Sequence, residues 1–392
     1  MRARPPSRRD VLIALAATAG GASVLLHRAG PAVSARVQGP RTAGRLGAAG
    51  RRLIAASAAP FDWCGLTAFR LAEMLARGRR GEVEATLEFC ARHEVTVVRV
   101  LARARHLFTL SSAEGLRALP ELCRLAATRG IQVQVVALAD TAGLTRAALV
   151  AQLRDVGALC DAHDNAILEC ANEPYHGTQS RWVMPVVAEF AGPARAMWAQ
   201  GAARRDGSAE LARGTWVAAH LARRGERWAR EARVAVLGEL SCRTGKFVVS
   251  NEPIGAASRA EPARRDDEPE AFRAQALLAR LAGVGATFHY EGGLRGRLPE
   301  GRELACFLAW REGFQAVPVG LEGPLVPVGA PDSPVARVES GTPAGAWSAT
   351  NGDRGWTVVL GRTDAVRLAW RDRWRAVRRS EHGPVEVIEI GR

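Results

Sequence analysis

The sequence predicts an α/β protein in which a (β/α)8 TIM barrel precedes a small antiparallel β domain. From residue 60 to about residue 312, short apolar runs alternate with amphipathic helical stretches. These runs are almost continuously apolar, which is typical of parallel strands covered by helices. Eight strand–helix units over roughly 250 residues match the usual size of such a barrel. After Phe314 the chain becomes rich in Gly and Pro, and this change of composition predicts the second domain.

The first four units of the barrel show the alternation clearly. Their strands are predicted at residues 60–69, 95–102, 131–140 and 165–173. The intervening helices are predicted at residues 83–93, 115–130 and 146–163. Gly130 supplies a stop signal for the second of these helices.

The last four units repeat the pattern less regularly. Their strands are predicted at residues 194–201, 214–222, 246–252 and 286–292. Their helices are predicted at residues 226–243, 269–285 and 301–314. The fifth unit has the weakest pattern, because little chain remains for a helix between its strand and the sixth strand. We place the whole barrel at residues 60–314.

The C-terminal segment, residues 315–392, is predicted to form a small β-sandwich-like domain. It contains short runs that alternate apolar and polar residues, such as "GWTVVLG" and "VRLAWRD". Turn signals such as Asn351-Gly352 and His382-Gly383 separate these runs. Alternating strands joined by tight turns are typical of an antiparallel sheet that packs one face on a core.

The net charge of the chain, +14, does not predict a nucleic-acid partner. Residues 1–52 contain ten arginines and one acidic residue, Asp10, so this segment carries +9 of that charge. The remaining 340 residues carry an ordinary surface charge of +5. A nucleic-acid site needs basic residues concentrated on the folded domain, and no such partner is expected here.

The N-terminus resembles a twin-arginine export signal. Ser7-Arg8-Arg9-Asp10-Val11-Leu12 opens a modest apolar stretch that reaches Leu26, and Val33-Ser34-Ala35 provides a cleavage site. We interpret residues 1–35 as the signal peptide and residues 36–59 as a linker. The alternative, a retained membrane anchor, is less favoured because the stretch is short and diluted by Gly. The mature protein is expected to have no stable membrane span, to be periplasmic or secreted, and to meet the twin-arginine translocase during export.

Cysteine usage excludes two classes of protein. The chain has seven cysteines and no C-x-x-C pair, so neither a zinc site nor a disulfide-rich scaffold is predicted. A single disulfide remains open at this stage. No metal or other cofactor is expected.

Two Asn-Glu-Pro segments carry the candidate chemistry. "CANEPYH" begins at residue 170 and "VVSNEPIG" at residue 248, and each follows an apolar run. They fall at the ends of the fourth and seventh predicted strands. Because the carboxyl ends of all barrel strands meet at one face, Glu173 and Glu252 are expected to face each other there. Two facing carboxylates are what glycosidic bond cleavage needs.

With these motifs, residues 60–314 resemble the clan A retaining glycoside hydrolases, the cellulase- and mannanase-like barrels. The resemblance implies that Glu173 is the acid/base and Glu252 the nucleophile. It implies that Arg99, at the end of the second strand, contacts the nucleophile, and that Asn172 holds the sugar 2-hydroxyl. Two plainer interpretations stay open: Arg99 as a salt bridge at the barrel mouth, and Asn172 as a strand-end residue that bonds its own backbone.

Further candidates come from the same resemblance. His220 ends the sixth strand, where clan members often have His or Tyr, although a structural His is nearly as plausible. His289 and Tyr290 stand on the eighth strand, where many members carry a Trp platform, and Glu291 beside them is a third carboxylate. Asp140 replaces a His that often follows the third strand. All except Glu291 are predicted to bind substrate.

Aromatic residues near strand ends could stack on sugar faces. Trp63 and Tyr175 are predicted as substrate-binding residues on this ground, and His176 and Trp182 share the pattern. An ordinary core or rim position is an equally good interpretation for each of them.

These observations predict an exported retaining β-glycosidase that acts on an oligosaccharide or polysaccharide without a cofactor. Two alternatives remain. One is a catalytically inactive barrel that binds glycans or acts in the cell envelope, and the other is a barrel hydrolase with a non-sugar substrate. Activity on aryl β-glycosides would distinguish the first prediction from the inactive barrel.

Overall fold

The computed structural model describes residues 43–174, 176–203, 213–221, 229–252, 255–256, 268–317 and the strands that follow. Residues 1–42, which carry the predicted export signal, lie outside the described residues. In the part of the chain that is described, no helix is both long and apolar enough to cross a membrane. All seven cysteines are free thiols, and Cys242 is the exposed one.

Eight parallel strands form the barrel and confirm the predicted fold class. Each strand pairs with the next, and the eighth pairs with both the seventh and the first, which closes the ring. All eight predicted strands are present, including the fifth. In order, the barrel strands are Cys64–Thr67, Val97–Leu101, Gln132–Leu138, Ala166–Ala171, Trp198–Ala203, Trp216–Ala219, Phe247–Ser250 and Gly285–Tyr290. A two-residue strand, Gly255–Ala256, also pairs with the eighth.

Helices surround the barrel at the predicted places. The long ones are Arg80–Arg92, Ser112–Ala127, Arg146–Ala162, Ala229–Thr244, Pro269–Leu281 and Gly301–Gln315. Three short helices were not predicted: Leu71–Ala76, Val183–Glu189 and Glu291–Arg295. Each short helix has at most two turns, and a segment of this length shows too little periodicity to be recognised from sequence.

An apolar layer fills the N-terminal end of the barrel. The Trp63 ring centroid lies 5.2 Å from that of Trp216 and 6.3 Å from that of Phe247. A hairpin of Gly47–Ala49 and Arg52–Ile54 adds the buried side chain of Leu53 to this layer. Part of the predicted linker therefore has a structural role at the barrel floor. The two strands of this hairpin are only three residues long, so their alternation of apolar and polar residues is too short to predict a hairpin from the sequence.

The C-terminal segment forms two antiparallel sheets. The four-stranded sheet contains Glu322–Pro327, Gly345–Asn351, Arg354–Leu360 and Val385–Ile390. The three-stranded sheet contains Val335–Val338, Ala365–Trp370 and Arg373–Arg378. Trp356 and Leu360 are buried in the same apolar cluster as the barrel's helices. The sequence-derived domain boundaries stay a prediction, although the last barrel helix ends at Gln315.

Candidate active site

Glu173 and Glu252 meet at the C-terminal mouth of the barrel. Glu173 stands two residues beyond the fourth strand, and Glu252 two residues beyond the seventh. One carboxylate oxygen of each lies within 4.8 Å of the other and of a ring nitrogen of His220. Glu252 is buried, whereas the Glu173 side chain is 30% exposed. Two carboxylates therefore face one opening, with one of them accessible from outside.

Arg99 is the group that holds the site together. Its side chain is fully buried, and its Nη1 donates to Glu252 Oε1 at 2.5 Å. Its Nη2 donates to Asn172 Oδ1 at 2.8 Å. Nε and Nη2 also donate to the two carboxylate oxygens of Glu169, at 2.8 and 2.9 Å. Burial acts to lower the pKa of Arg99, but the charges of Glu169 and Glu252 outweigh it, so the pKa is raised and the cation is permanent.

Glu169 is a residue that sequence reasoning missed. It lies fully buried in the fourth strand, and Gln134 Nε2 also donates to its Oε2 at 2.7 Å. A usable signal exists, because Glu169 is the one charge inside the apolar run "AILECA". A buried carboxylate must have a partner, and a basic residue at an equivalent height on another strand is the natural one. Arg99 on the second strand is that residue.

His220 lies between the two glutamates. Its Nδ1 is 3.3 Å from Glu173 Oε1 and 3.9 Å from Glu252 Oε2, while its Nε2 is 3.4 Å from Arg99 Nη2. A guanidinium only donates, so we assign Nε2 as the acceptor and place the ring proton on Nδ1. That proton faces the carboxylates. Arg99 thereby orients His220 as well as Glu252.

Burial and the neighbouring side chains shift the pKa of Glu173 in opposite directions. Burial acts most strongly and raises it, but the combined effects of His220 and His176 outweigh burial, so the pKa lies below its ordinary value. The charge of Glu252 also acts to raise it. The protonation of Glu173 is therefore sensitive to the charge on Glu252.

The backbone around Glu173 is held in an unusual conformation. Glu173 has φ 41, in the left-handed region that non-glycine residues seldom adopt. Gln179 Nε2 donates to the carbonyl of Asn172, and Gln179 Oε1 accepts from Thr141 Oγ1 at 2.6 Å. Gln179 therefore ties the end of the fourth strand to the loop after the third. Nothing in the sequence singled out this loop glutamine.

On the eighth strand, one predicted residue faces the mouth and one does not. His289 is buried, with its Nδ1 3.0 Å from Thr67 Oγ1 on the first strand. The prediction for Tyr290 is wrong: its ring packs on Phe288, and its hydroxyl donates to the Arg297 carbonyl at 2.9 Å. Adjacent residues of a strand point to opposite faces, so Tyr290 faces the helices.

Two further predictions are corrected. Trp63 is buried in the apolar layer at the opposite end of the barrel, because it precedes its strand rather than following it. Asp140 stands at the mouth, but its carboxylate accepts from the backbone N–H groups of Arg105 and His106 and contacts the His106 ring. Its role is to hold a loop, and its oxygens are already engaged.

The remaining sequence candidates are peripheral or untested. Glu291 begins a short helix and pairs with Arg295 at 2.7 Å, so its carboxylate is engaged outside the Glu173–Glu252 pair. His176 and Trp182 are exposed on the loop that follows the fourth strand. Tyr175 lies outside the described residues.

The same side chains offer ligand atoms for a cation. Glu173, His220 and Glu252 could each contribute one atom to a metal ion. The Arg99 guanidinium already stands 2.5 Å from a Glu252 oxygen, and its positive charge would repel a second cation there. The arrangement is therefore better suited to moving protons between carboxylates than to binding a metal.

Comparison with known proteins finds solved structures that share this fold. No family model and no curated protein sequence matches the chain. A glycoside hydrolase family 5 structure from Bacteroides vulgatus matches 89% of this chain and 93% of its own, with TM-score 0.62 and 13% identity. A β-glucanase from Saccharophagus degradans, in complex with cellotetraose, matches 71% of this chain and 94% of its own, with TM-score 0.54 and 12% identity. At these identities the likeness shows a shared barrel fold.

Proposed function

We propose that this protein is a retaining glycoside hydrolase that cleaves β-glycosidic bonds. The observation that carries the proposal is the approach of Glu173 and Glu252 at the barrel mouth, with oxygens within 4.8 Å. Retaining enzymes hold their carboxyl groups about 5–5.5 Å apart, whereas inverting enzymes need about 6.5–9.5 Å to admit a water. An approach of the nearest oxygens to within 4.8 Å is closer to the retaining arrangement and supports retention.

In the first step, Glu252 is the nucleophile. A carboxylate oxygen of Glu252 bonds to the anomeric carbon while the bond to the leaving oxygen breaks, and Glu173 gives that oxygen its proton. The Arg99 cation supports this role because it favours the ionised form of Glu252. In the second step, Glu173 takes a proton from water, the water oxygen bonds to the anomeric carbon, and the bond to Glu252 breaks.

The charge coupling between the two glutamates supports the exchange of roles at Glu173. While Glu252 is ionised, its charge raises the pKa of Glu173 and favours the acid form. The glycosyl ester on Glu252 carries no charge, so this effect disappears in the intermediate. The pKa of Glu173 then falls, as a general base requires. Substrate covering the exposed part of Glu173 would add to the raising effect of burial before the first step.

Asn172 and His289 are proposed as substrate contacts. Arg99 engages the side-chain oxygen of Asn172, which leaves the amide N–H2 as a donor for a sugar hydroxyl. His289 stands on the mouth side of the eighth strand. The substrate is proposed to be an oligosaccharide or polysaccharide, because the sequence motifs resemble those of the clan A glycoside hydrolases.

Azide rescue tests the two roles separately. Glu252→Ala should abolish turnover of an aryl β-glycoside, and azide should restore it with an inverted glycosyl azide as product. Glu173→Ala should still form the glycosyl-enzyme from substrates with good leaving groups, and azide should then give a product of retained configuration. Product anomers are read by NMR. Glu291→Ala is the matched control and should remain active without azide.

Four results would contradict the proposal. Exchanged stereochemistry would reverse the two assignments, and rescue of Glu291→Ala with inversion would move the nucleophile to the eighth strand. Glycan binding without any turnover would favour the catalytically inactive barrel. Loss of activity on treatment with EDTA would indicate a metal-dependent reaction instead.

We further propose that the chain is exported through the twin-arginine translocase to the periplasm or beyond. The support is the Arg8-Arg9 motif and the apolar stretch after it. Replacing Arg8 and Arg9 with Lys should leave the precursor in the cytoplasm, as judged by fractionation. The matched control replaces Arg2 and Arg4 with Lys, which makes the same change outside the motif. Normal export of the Arg8/Arg9 variant would refute this proposal.

A further inference from the structure

One buried arginine at the barrel mouth forms no salt bridge with the residues that the structure describes. In the part of the chain that the structure describes, three arginines are buried: Arg99, Arg103 and Arg311. Arg99 pairs with Glu169 and Glu252, and Arg311 pairs with Glu94 at 2.8 Å. Arg103, 7% exposed, forms no ion pair with any described carboxylate. Because arginine stays protonated, this leaves a buried positive charge that forms no salt bridge, and the charge of Asp140 acts on it only at longer range.

The location of Arg103 connects it with the catalytic pair. It follows the second barrel strand, and its Nη1 donates to the carbonyls of Ala139 and Asp140 at 3.0 and 2.8 Å. Those two residues come directly after the third strand, so the guanidinium lies at the same end of the barrel as Glu173 and Glu252. Its Nε is buried and has no hydrogen-bond partner. A donor is therefore left unused beside the candidate cleft.

Asp140 and Arg105 are the two charged neighbours that act on Arg103. Asp140, the nearest acid, has its oxygens engaged by the backbone N–H groups of Arg105 and His106 and by the His106 ring. Arg105 is exposed and forms no ion pair among the described residues. Burial lowers the pKa of Arg103, the charge of Asp140 acts to raise it, and the charge of Arg105 lowers it again, so the pKa lies below its ordinary value. A further anion beside Arg103 would favour the charged guanidinium.

We propose that Arg103, with Arg105 and His106 at the rim, binds an anionic substituent of the substrate. The ligand class is an acidic glycan that carries a carboxylate or a sulfate ester, both of which a guanidinium can bind through two parallel hydrogen bonds. Arg103 is four residues beyond Arg99, a distance of up to about 13 Å along an extended chain. We place the anion on a sugar near the cleaved one, within this reach. This inference rests on the proposed function for the identity of the ligand as a glycan.

Binding without turnover tests the inference independently of catalysis. The ligands are β-linked tetrasaccharides of gluco, manno and galacto configuration, each in neutral, C6-oxidised and C6-sulfated form. Calorimetry with the full chain carrying Glu173→Gln and Glu252→Gln should show at least one anionic form bound about tenfold more tightly than its neutral parent. Which form shows the gain identifies the carboxylate or the sulfate. The gain should shrink as salt is raised.

Adding Arg103→Gln should remove most of that preference and leave the affinity for the neutral tetrasaccharide within about twofold. Arg105→Gln, at an exposed position, should remove part of it without affecting folding. Arg117→Gln is the matched control, because it removes the same charge from the exposed side of the helix Ser112–Ala127.

Two results would overturn the inference. One is equal affinity for the neutral and anionic forms in every series. The other is a preference for the anionic form that stays unchanged in both Arg103→Gln and Arg105→Gln. Arg103-dependent binding in a protein whose wild type hydrolyses no glycoside would support the inference while refuting the proposed function.

Discussion

At the scale of single residues, Arg99 contacts four side chains of the candidate active site. It is one cation between two buried carboxylates, Glu169 below and Glu252 above, and it also contacts Asn172 and His220. Glu169 fixes the guanidinium with two hydrogen bonds on one side, which leaves Nη1 directed at Glu252. The orientation of the nucleophile candidate therefore depends on a carboxylate that does not reach the cleft.

We expect Glu169→Ala to destabilise the protein strongly. It removes one partner of a buried ion pair and leaves Arg99 with a single carboxylate, a change that costs about 3–5 kcal/mol. Urea unfolding at neutral pH measures the loss. Glu88→Ala is the control, because its pair with Arg129 is on the surface, at 3.6 Å, and such pairs contribute about 0–1 kcal/mol. Equal losses in the two variants would show that Glu169 has no special structural role.

His220→Gln should move the basic limb of the pH–activity profile to higher pH. Contact with His220 lowers the pKa of Glu173, while burial and the charge of Glu252 raise it, so removing His220 leaves the raising effects dominant. Glu173 must be protonated in the first step, and a higher pKa keeps it protonated to higher pH. Rates on an aryl β-glycoside across pH give the measurement, with His163→Gln at the end of an outer helix as control. A shift of the limb to lower pH would contradict this account.

At the scale of elements, the helix Ser112–Ala127 shows how local chemistry places the second unit of the barrel. Ser111 caps its first turn, accepting from the Glu114 N–H, while the Glu114 carboxylate accepts from the Ser111 backbone N–H at 2.9 Å. Arg77 donates to the same carboxylate at 2.7 Å. This reciprocal pair of hydrogen bonds between Ser111 and Glu114, a capping box, begins the helix immediately after the loop that carries Arg103. The capping box therefore fixes one end of that loop.

Stability supplied by Glu114 should disappear in acid. The Ser111 backbone and hydroxyl, with Arg77, lower the pKa of Glu114 from 4.5 to about 2. A lowered pKa in the folded state means that the contribution is full above pH 4.5 and is lost as pH falls towards 2. Glu114→Gln should therefore be less stable than wild type at pH 7, and the gap should narrow by pH 3 in urea unfolding. Ser111→Ala should also lower the stability at pH 7, and its difference from wild type should likewise narrow by pH 3. A gap that is constant with pH would mean that the charge does not contribute.

At the scale of the whole molecule, the barrel and the C-terminal sheets share part of their core. Trp356 and Leu360 of the strand Arg354–Leu360 are buried in the cluster that includes Phe272 of the helix Pro269–Leu281. The apolar face of that helix is therefore covered by the barrel on one side and by the sheet on another. Shared burial of this kind couples the stability of the two parts.

We expect the described parts to unfold together and Trp356→Ala to weaken both. Emptying a buried Trp site costs about 3–5 kcal/mol. Circular dichroism at helix- and strand-sensitive wavelengths should give coincident transitions in wild type, both shifted to lower denaturant in the variant. Trp182→Ala is the matched control, since Trp182 is 37% exposed and its removal should cost about 0.5 kcal/mol or less. Separate transitions, with only one affected, would refute the coupling.

Sequence alone was sufficient for the strand order and for the positions of Glu173, Glu252, Arg99 and Asn172. A continuous apolar run marks a strand of a parallel sheet that is covered by helices. Polar residues at the carboxyl end of such a strand lie at the barrel mouth. The local pattern therefore determines both the strands and the positions of these polar residues. Tertiary structure alone decided which side chains at the strand ends face inward. Trp63 and Tyr290 illustrate this, because strand register and the side of the barrel are set only when the ring closes.

The contacts of Glu169, Gln179 and Asp140 likewise depended on the closed barrel. Each of these residues makes a contact with a strand or loop that is 30 or more residues away in the sequence. No periodic pattern encodes a hydrogen bond between two loops, since the distance exists only after the strands have paired. The sequence thus determined the candidate catalytic groups, whereas the packed barrel determined which groups orient them, because orientation is a property of neighbours brought together by folding.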